Sequence, residues 1–311
     1  MRPEHSSLQG AACLPGSGSV TVSQRAPPMD APPVPRLKFM TTASAPAPTA
    51  PAPGRPPTED LRHRRHTLKT DRSFTGRVGL ALQNWLESRV AAASPLGDPH
   101  IYQTRDFPWA AEIEREWPLI RKELDAVMVF RDQMPSFQDI LKEVGAIQSD
   151  NNWKTFFLAG IGMDCSENAR RCPETTRLLG KIPGMTTAFF SILSPGKHIP
   201  AHRGAWNGIL RLHVGLMVPQ PRERVKIRVG NDFYSWREGE AFIFDDTFNH
   251  EVWNDTDGYR VVLFVDFARP LRQPWRWINE RMLRWGALAP FLREAGEKQK
   301  RWQDLFWNRK P

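Results

Sequence analysis

A mainly β domain, whether sandwich, jelly roll or barrel, braced by helices is the fold class that the sequence predicts. Three observations carry that expectation. From Thr186 onward the chain breaks into short segments, TTAFFSILS, LRLHVGLMV, KIRVG, DFYSW, EAFIFDD, HEVWN and RVVLFVDFA. They alternate or run apolar and are separated by Gly, Pro, Asn and Asp, as strands are. Upstream of these, apolar residues recur at helical spacing. The chain is 311 residues long and 40% hydrophobic, enough to bury one good core with helical additions.

Taken in order, residues 1–72 read as a disordered, basic, Pro/Ala-rich tail. Stretches such as TTASAPAPTAPAPGRPP offer too little apolar surface to offset their ordering entropy. The run RHRRH at 62–66 suits either a basic arm touching phosphates or lipid headgroups, or a solvated linker. The first residues lack an apolar h-region and make a poor secretory signal. The domain proper is expected over 73–270, helical over 73–150 with a β core over 151–270. Helices are predicted at 78–93, 110–130 and 136–145. In the second, Ile113, Trp117, Ile120, Leu124 and Val127 share one stripe, and Pro118 predicts a kink or restart. WKTFFLAGI, from Trp153, alternates and is aromatic, as strands are. CPETTRLLGKI, 172–182, reads as a helix with Pro at its start. Residues 271–311 form a Trp-rich, basic helical tail with two competing settings. One is an amphipathic helix on an anionic membrane surface. The other is a helix docked on the body with its Trp side chains buried.

Composition narrows the function classes. The net charge of +9 suits nucleic acid, anionic membrane or acidic substrate without choosing among them, and no nucleic-acid recognition motif is present. Three cysteines without a Cys-x-x-Cys pair argue against a disulfide framework or zinc ribbon and fit a reducing compartment. No apolar run of about 18 residues or more predicts a spanning helix. A cytoplasmic location, with peripheral contact at the inner face of the membrane through 271–311, is the expectation.

The candidate chemistry lies in the histidines. His202 follows a Pro-Gly turn in LSPGKHIPAHRG, and His250 lies in FDDTFNHEVWN, 48 positions later. Two imidazoles projecting from facing strands of a small barrel could hold one divalent metal, and imidazole suits Fe, Zn, Cu and Ni. His198 reads as exposed and non-catalytic. Asp245 and Asp246 read as closing the turn before His250, with Asp246 as a reserve ligand.

The ordered set His202-Arg203-Gly204, Arg211-x-His213, W-x-x-G-E from Trp236, F-D-D-x-F-x-H-E-V-W-N and Arg260-V-V-L resembles the aspartyl/asparaginyl β-hydroxylases. Bacterial lipid A and ornithine-lipid hydroxylases are close relatives of that family. The resemblance spans roughly 100–275 and is densest from Ser191 to Pro270. It implies a double-stranded β-helix, a cupin-like jelly roll, that uses Fe(II) and 2-oxoglutarate. It further implies that His202 and His250 are the iron ligands and that Arg260 pairs with the distal carboxylate of 2-oxoglutarate, as a planar guanidinium suits. Ser191 and His213 would hydrogen-bond the same cosubstrate, and Arg211 would contact an anionic substrate. Arg211 and His213 alternate on one strand, so both must face the lumen.

One position departs from the commoner two-histidine, one-carboxylate pattern. Gly204 stands where a carboxylate is usual. Peptide β-hydroxylases share this gap, whereas lipid A hydroxylases have His-Arg-Asp. The motif core therefore points to the peptide branch, while NNWKTFFL and CPETTRLLGKIPG resemble the lipid branch. The gap is also a halogenase feature, but the remaining pattern is that of a hydroxylase. The implied activity is O2-dependent hydroxylation of an unactivated C–H bond in an anionic peptide side chain, with a lipid acyl chain as the alternative substrate. A non-catalytic cupin-like metal or small-molecule binding module is the rival of another class.

Overall fold

The structure, a computed structural model, describes residues 74–307 apart from 148 and 287–289. The tail expected over 1–72 lies outside the described residues. The elements run α1 (Phe74–Ala93), β1 (Ile101–Tyr102), α2 (Ala110–Met128), α3 (Phe137–Ile140), β2 (Trp153–Ala159), α4 (Ser166–Arg171), α5 (Pro173–Leu179) and β3 (Met185–Leu193). There follow β4 (His198–His202), β5 (Ile209–Met217), β6 (Val225–Val229), β7 (Asp232–Ser235), β8 (Ala241–Phe244), β9 (His250–Asn254), β10 (Arg260–Ala268), α6 (Trp275–Gly286) and α7 (Pro290–Trp307).

The strands form a six-stranded sheet, β1-β8-β5-β10-β3-β2, and a four-stranded sheet, β4-β9-β6-β7. All neighbouring strands within the two sheets pair antiparallel. From β3 onward the chain passes repeatedly from one sheet to the other, which is the double-stranded β-helix expected.

Strand periodicity divides the larger sheet into two faces. Leu210, Leu212, Val214 and Leu216 of β5, with Val261, Leu263, Val265 and Phe267 of β10, pack on Ile113, Ile120, Leu124 and Val127 of α2 and Leu178 and Leu179 of α5. Burying each such side chain contributes about 1.5–3 kcal/mol. The intervening positions face the other sheet. There Phe189, Leu193, Val262 and Phe264 meet Ile199, Ile227, Val229 and Val252. A single apolar/polar alternation thus docks the helices and furnishes an inter-sheet lumen.

Several local expectations are corrected. Helix α2 runs through Pro118 without restarting, with that residue exposed. The third helix is broken into α3 and a 3-10 turn over Lys142–Ala146. At the start of α3 the Ser136 N–H donates to Asp139 Oδ2 at 2.9 Å, a capping box. Strand β4 and helix α4 have no counterpart among the predicted elements. β4 carries Pro200, tolerated because β4 is an edge strand.

The C-terminal region divides. Helix α7 docks on the body: Trp302 Nε1–H donates to Gln133 O at 3.0 Å and Trp307 Nε1–H to Asn168 Oδ1 at 2.8 Å. Helix α6 instead leaves Trp277 and Trp285 exposed. No helix among the described residues is long and apolar enough to cross a membrane.

Candidate active site

His202 closes β4 and His250 opens β9, and the two are direct cross-strand partners. They sit on adjacent strands of one sheet, not on facing strands, with ring centroids 4.1 Å apart. His202 Nδ1 lies 2.8 Å from Pro200 O, and His250 Nδ1 lies 3.0 Å from Phe248 O. A carbonyl only accepts, so each Nδ1 carries the proton and each Nε2 keeps its lone pair. Burial holds both imidazoles neutral: His202 is pulled down to about 4 and His250 well below the ordinary range. Two neutral, tautomerically fixed imidazoles are the donor set a transition metal takes.

The other predicted residues gather in the same cavity. Its lining includes Ser191, Arg211, His213 and Arg260, with apolar walls of Ile199, Ile227, Phe244, Val252 and Phe264. Arg260, at the start of β10, is 1% exposed. Its Nε and Nη1 have no hydrogen-bond partner, and its guanidinium lies 4.4 Å over the Trp236 ring. Burial pulls it down to about 9, with no carboxylate to offset the effect. A buried, unpaired guanidinium is costly unless an anion occupies the site. Both ring nitrogens of buried His213 are likewise unpartnered, and Ser191 Oγ accepts from Trp153 Nε1–H at 3.0 Å. These orphaned groups fit a small carboxylate ligand beside a metal held by the two histidines.

Arg211 does face the lumen, but it is engaged. Its Nε donates to Asp266 Oδ1 at 2.8 Å, and its Nη2 lies 2.9 Å from Asp246 Oδ2. Burial pushes Asp246 up to about 7, against the pull of Arg211 and with help from Asp266 and Asp245. One guanidinium between two carboxylates has no net positive charge to offer an anion.

Gly204 has a steric explanation. A Cβ there would overlap the Asp246 carboxylate, while the Gly204 N–H donates to Asp246 O at 2.7 Å. The position lacks a side chain because Asp246 fills its space. Among the described residues no three His, Cys, Asp or Glu side chains gather to hold a metal, and Asp246, the reserve ligand of the sequence reading, turns its Oδ2 to Arg211. Asp245 does close the turn, accepting from Thr247 N–H at 3.0 Å. His198 lies on the outer side, 2.7 Å from Glu251 Oε1 and stacked on Trp253.

Supporting residues went unassigned in the sequence. Trp236 belongs to the W-x-x-G-E motif yet had no role, and Trp153 lines the cavity. Buried Arg269 donates to Asp245 Oδ2 at 3.1 Å and to Asn207 O at 3.1 Å. It thereby joins the loop entering β9 to the loop leaving β4. Arg228 donates to Asn249 Oδ1 at 2.7 Å, fixing the residue beside His250. Only the spatial arrangement reveals these roles.

Comparison with known proteins shows the family. The aspartyl/asparaginyl β-hydroxylase family model matches residues 114–270. An ornithine lipid ester-linked acyl 2-hydroxylase from Rhizobium tropici is 46% identical over 268 residues, covering 85% of this chain and 94% of that protein. The human aspartyl/asparaginyl β-hydroxylase is 36% identical over 167 residues, 52% of this chain and 21% of that protein. Human aspartate β-hydroxylase domain-containing protein 2 is 39% identical over 127 residues, 38% of this chain and 34% of that protein. The family model and these relatives mark the double-stranded β-helix described above as that of a hydroxylase. The chain belongs to the aspartyl/asparaginyl β-hydroxylase family, as its motifs indicated.

Proposed function

We propose that the protein is an Fe(II)- and 2-oxoglutarate-dependent dioxygenase that hydroxylates the acyl chain of a membrane lipid. The observation that carries the cofactor reading is Arg260, a buried guanidinium without an anionic partner in the cavity of the paired histidines. His202 and His250 would hold the iron through Nε2. Bound iron supplies the oxidising chemistry: O2 and 2-oxoglutarate are consumed, succinate and CO2 are released, and one oxygen atom enters a C–H bond. Arg260 binds the distal carboxylate and thereby orients the cosubstrate. His213 and Ser191 offer further hydrogen bonds to it. The apolar walls exclude water from the site.

For the substrate, two observations favour lipid over peptide. The ornithine-lipid hydroxylase matches along nearly its whole length, and Arg211, the expected anion contact, is committed to Asp246 and Asp266. Gly204 favours the second reading, hydroxylation of an aspartyl or asparaginyl side chain, since the peptide branch shares it. The test is purified protein with Fe(II), ascorbate and labelled 2-oxoglutarate, assayed for succinate with an acylated ornithine lipid or an acidic peptide. Lipid-stimulated turnover with a product heavier by one oxygen supports the proposal. Stimulation by peptide alone would replace it with the second reading. Failure to bind both Fe(II) and 2-oxoglutarate would favour the binding module.

A further inference from the structure

We propose that α1 and α6 together form the surface on which this protein sits on an anionic lipid bilayer. As a delivery route the idea rests on the acyl-lipid reading, but the surface itself is argued from its own residues. Helix α1 turns Val78, Leu82 and Trp85 to solvent, 52%, 56% and 48% exposed. Their i, i+4, i+7 spacing makes one stripe, while Glu87 is buried on the opposite side of the helix. Helix α6 exposes Trp277 and Trp285, 55% and 65%. The edge contact of Trp85 with Trp275, centroids 6.0 Å apart, brings the two helices together. Half of the exposed large hydrophobic side chains among the described residues lie on these two helices, a concentration that marks an interaction site.

Charge selects the occupant. Arg89 lies 5.5 Å from the centroid of Trp85, and Arg281 lies 5.2 Å from that of Trp277. Glu87 is buried against Arg203, and Glu280 pairs with Arg276 at 3.0 Å. What faces outward is therefore tryptophan and leucine interleaved with arginine, the composition suited to anionic headgroups over an acyl boundary. The membrane role expected of all of 271–311 thus contracts to α6 and extends to α1, while α7 is docked on the body.

The same helices grip the loop that joins β4 to β5, next to His202. From α1, Gln83 Nε2 donates to Ala205 O at 2.9 Å, and Glu87 O accepts from Asn207 Nδ2 at 2.8 Å. From α6, Asn279 Nδ2 donates to Gly208 O at 2.8 Å and its Oδ1 accepts from Trp206 Nε1 at 2.8 Å. Helix α1 thus stands between its exposed stripe and the loop leaving the first histidine, which it holds from its buried side.

The test is flotation of the full chain with phosphatidylcholine vesicles, with and without phosphatidylglycerol. The wild type should float with the anionic vesicles and lose that binding in high salt. The triple variant Trp85→Ser, Trp277→Ser, Trp285→Ser should bind at least tenfold more weakly, while Val129→Ser, which removes an exposed apolar residue elsewhere, should bind as wild type. Arg89→Gln with Arg281→Gln should lower binding to anionic vesicles selectively. Equal flotation of the triple variant, or none by the wild type, overturns the proposal. Self-association that the triple variant abolishes, without vesicle binding, would overturn it in favour of a second copy of this chain. Turnover on detergent-dispersed lipid separates the two readings. If the triple variant keeps it and loses only turnover on vesicles, both stand; vesicle binding without any lipid turnover removes the substrate reading alone.

Discussion

The two faces of the six-stranded sheet come from the same strands, yet they obey different rules. On the helix face of β10, Val261, Leu263, Val265 and Phe267 are buried among aliphatic neighbours from α2 and α5, where shape and volume set the energy. On the lumen face of the same strand, Arg260 is buried with polar atoms unpartnered and Asp266 pairs across to Arg211. One face holds the fold by satisfying every group it buries. The other keeps groups unsatisfied, a cost that binding can recover. Stability and activity should therefore separate by residue parity.

That separation can be broken most forcefully at the metal pair. His202→Ala or His250→Ala should abolish succinate formation, by more than the roughly 10–100-fold that loss of a supporting partner costs, while circular dichroism stays native. Full activity in either variant would remove the ligand assignment. On the opposite face, Leu263→Ala should cost about 2–5 kcal/mol in denaturant unfolding and leave the 2-oxoglutarate KM unchanged. A shifted KM would show that the faces are coupled. Arg260→Ala should raise the 2-oxoglutarate KM about 10- to 100-fold, the equivalent of a charge-assisted bond of about 1.5–3 kcal/mol. An unaltered KM would take that role from it. Gly204→Ala should destabilise by about 1–3 kcal/mol through overpacking against Asp246, read as a lowered melting temperature. Trp153→Phe should be mildest, about 0.5–1.5 kcal/mol for the bond to Ser191, also read by thermal unfolding.

Much of this plan was legible because strand parity is a local signal. The alternation in LRLHVGLMV and RVVLFVDFA assigns each residue to a face before any contact is known. His213, Arg211 and Arg260 consequently reach the lumen as expected. What stayed hidden is non-local. β4 has the sequence HIPAH, with a proline and little apolar alternation. Only its pairing with β9 makes it a strand and sets His202 beside His250. The engagement of Arg211 was invisible because Asp246 and Asp266 arrive from a different loop and a different strand. The Trp-rich C-terminal segment could be read as surface or core, since Trp-Arg mixing suits both. The structure docks α7 on the body and leaves Trp277 and Trp285 of α6 exposed.

The contact between Gly204 and Asp246 also carries a consequence for substitution. A glycine whose missing side chain is the space of a distant carboxylate cannot acquire its own carboxylate in a single step. Gly204→Asp would need Asp246→Gly or a similar shortening to make room for it. The two positions, 42 residues apart in the chain, should therefore be coupled, so that the paired substitution costs less in thermal unfolding than the two single ones added together. A side chain can enter at Gly204 only where the Asp246 carboxylate gives way, so the neighbour, and not the glycine alone, sets what stands beside His202.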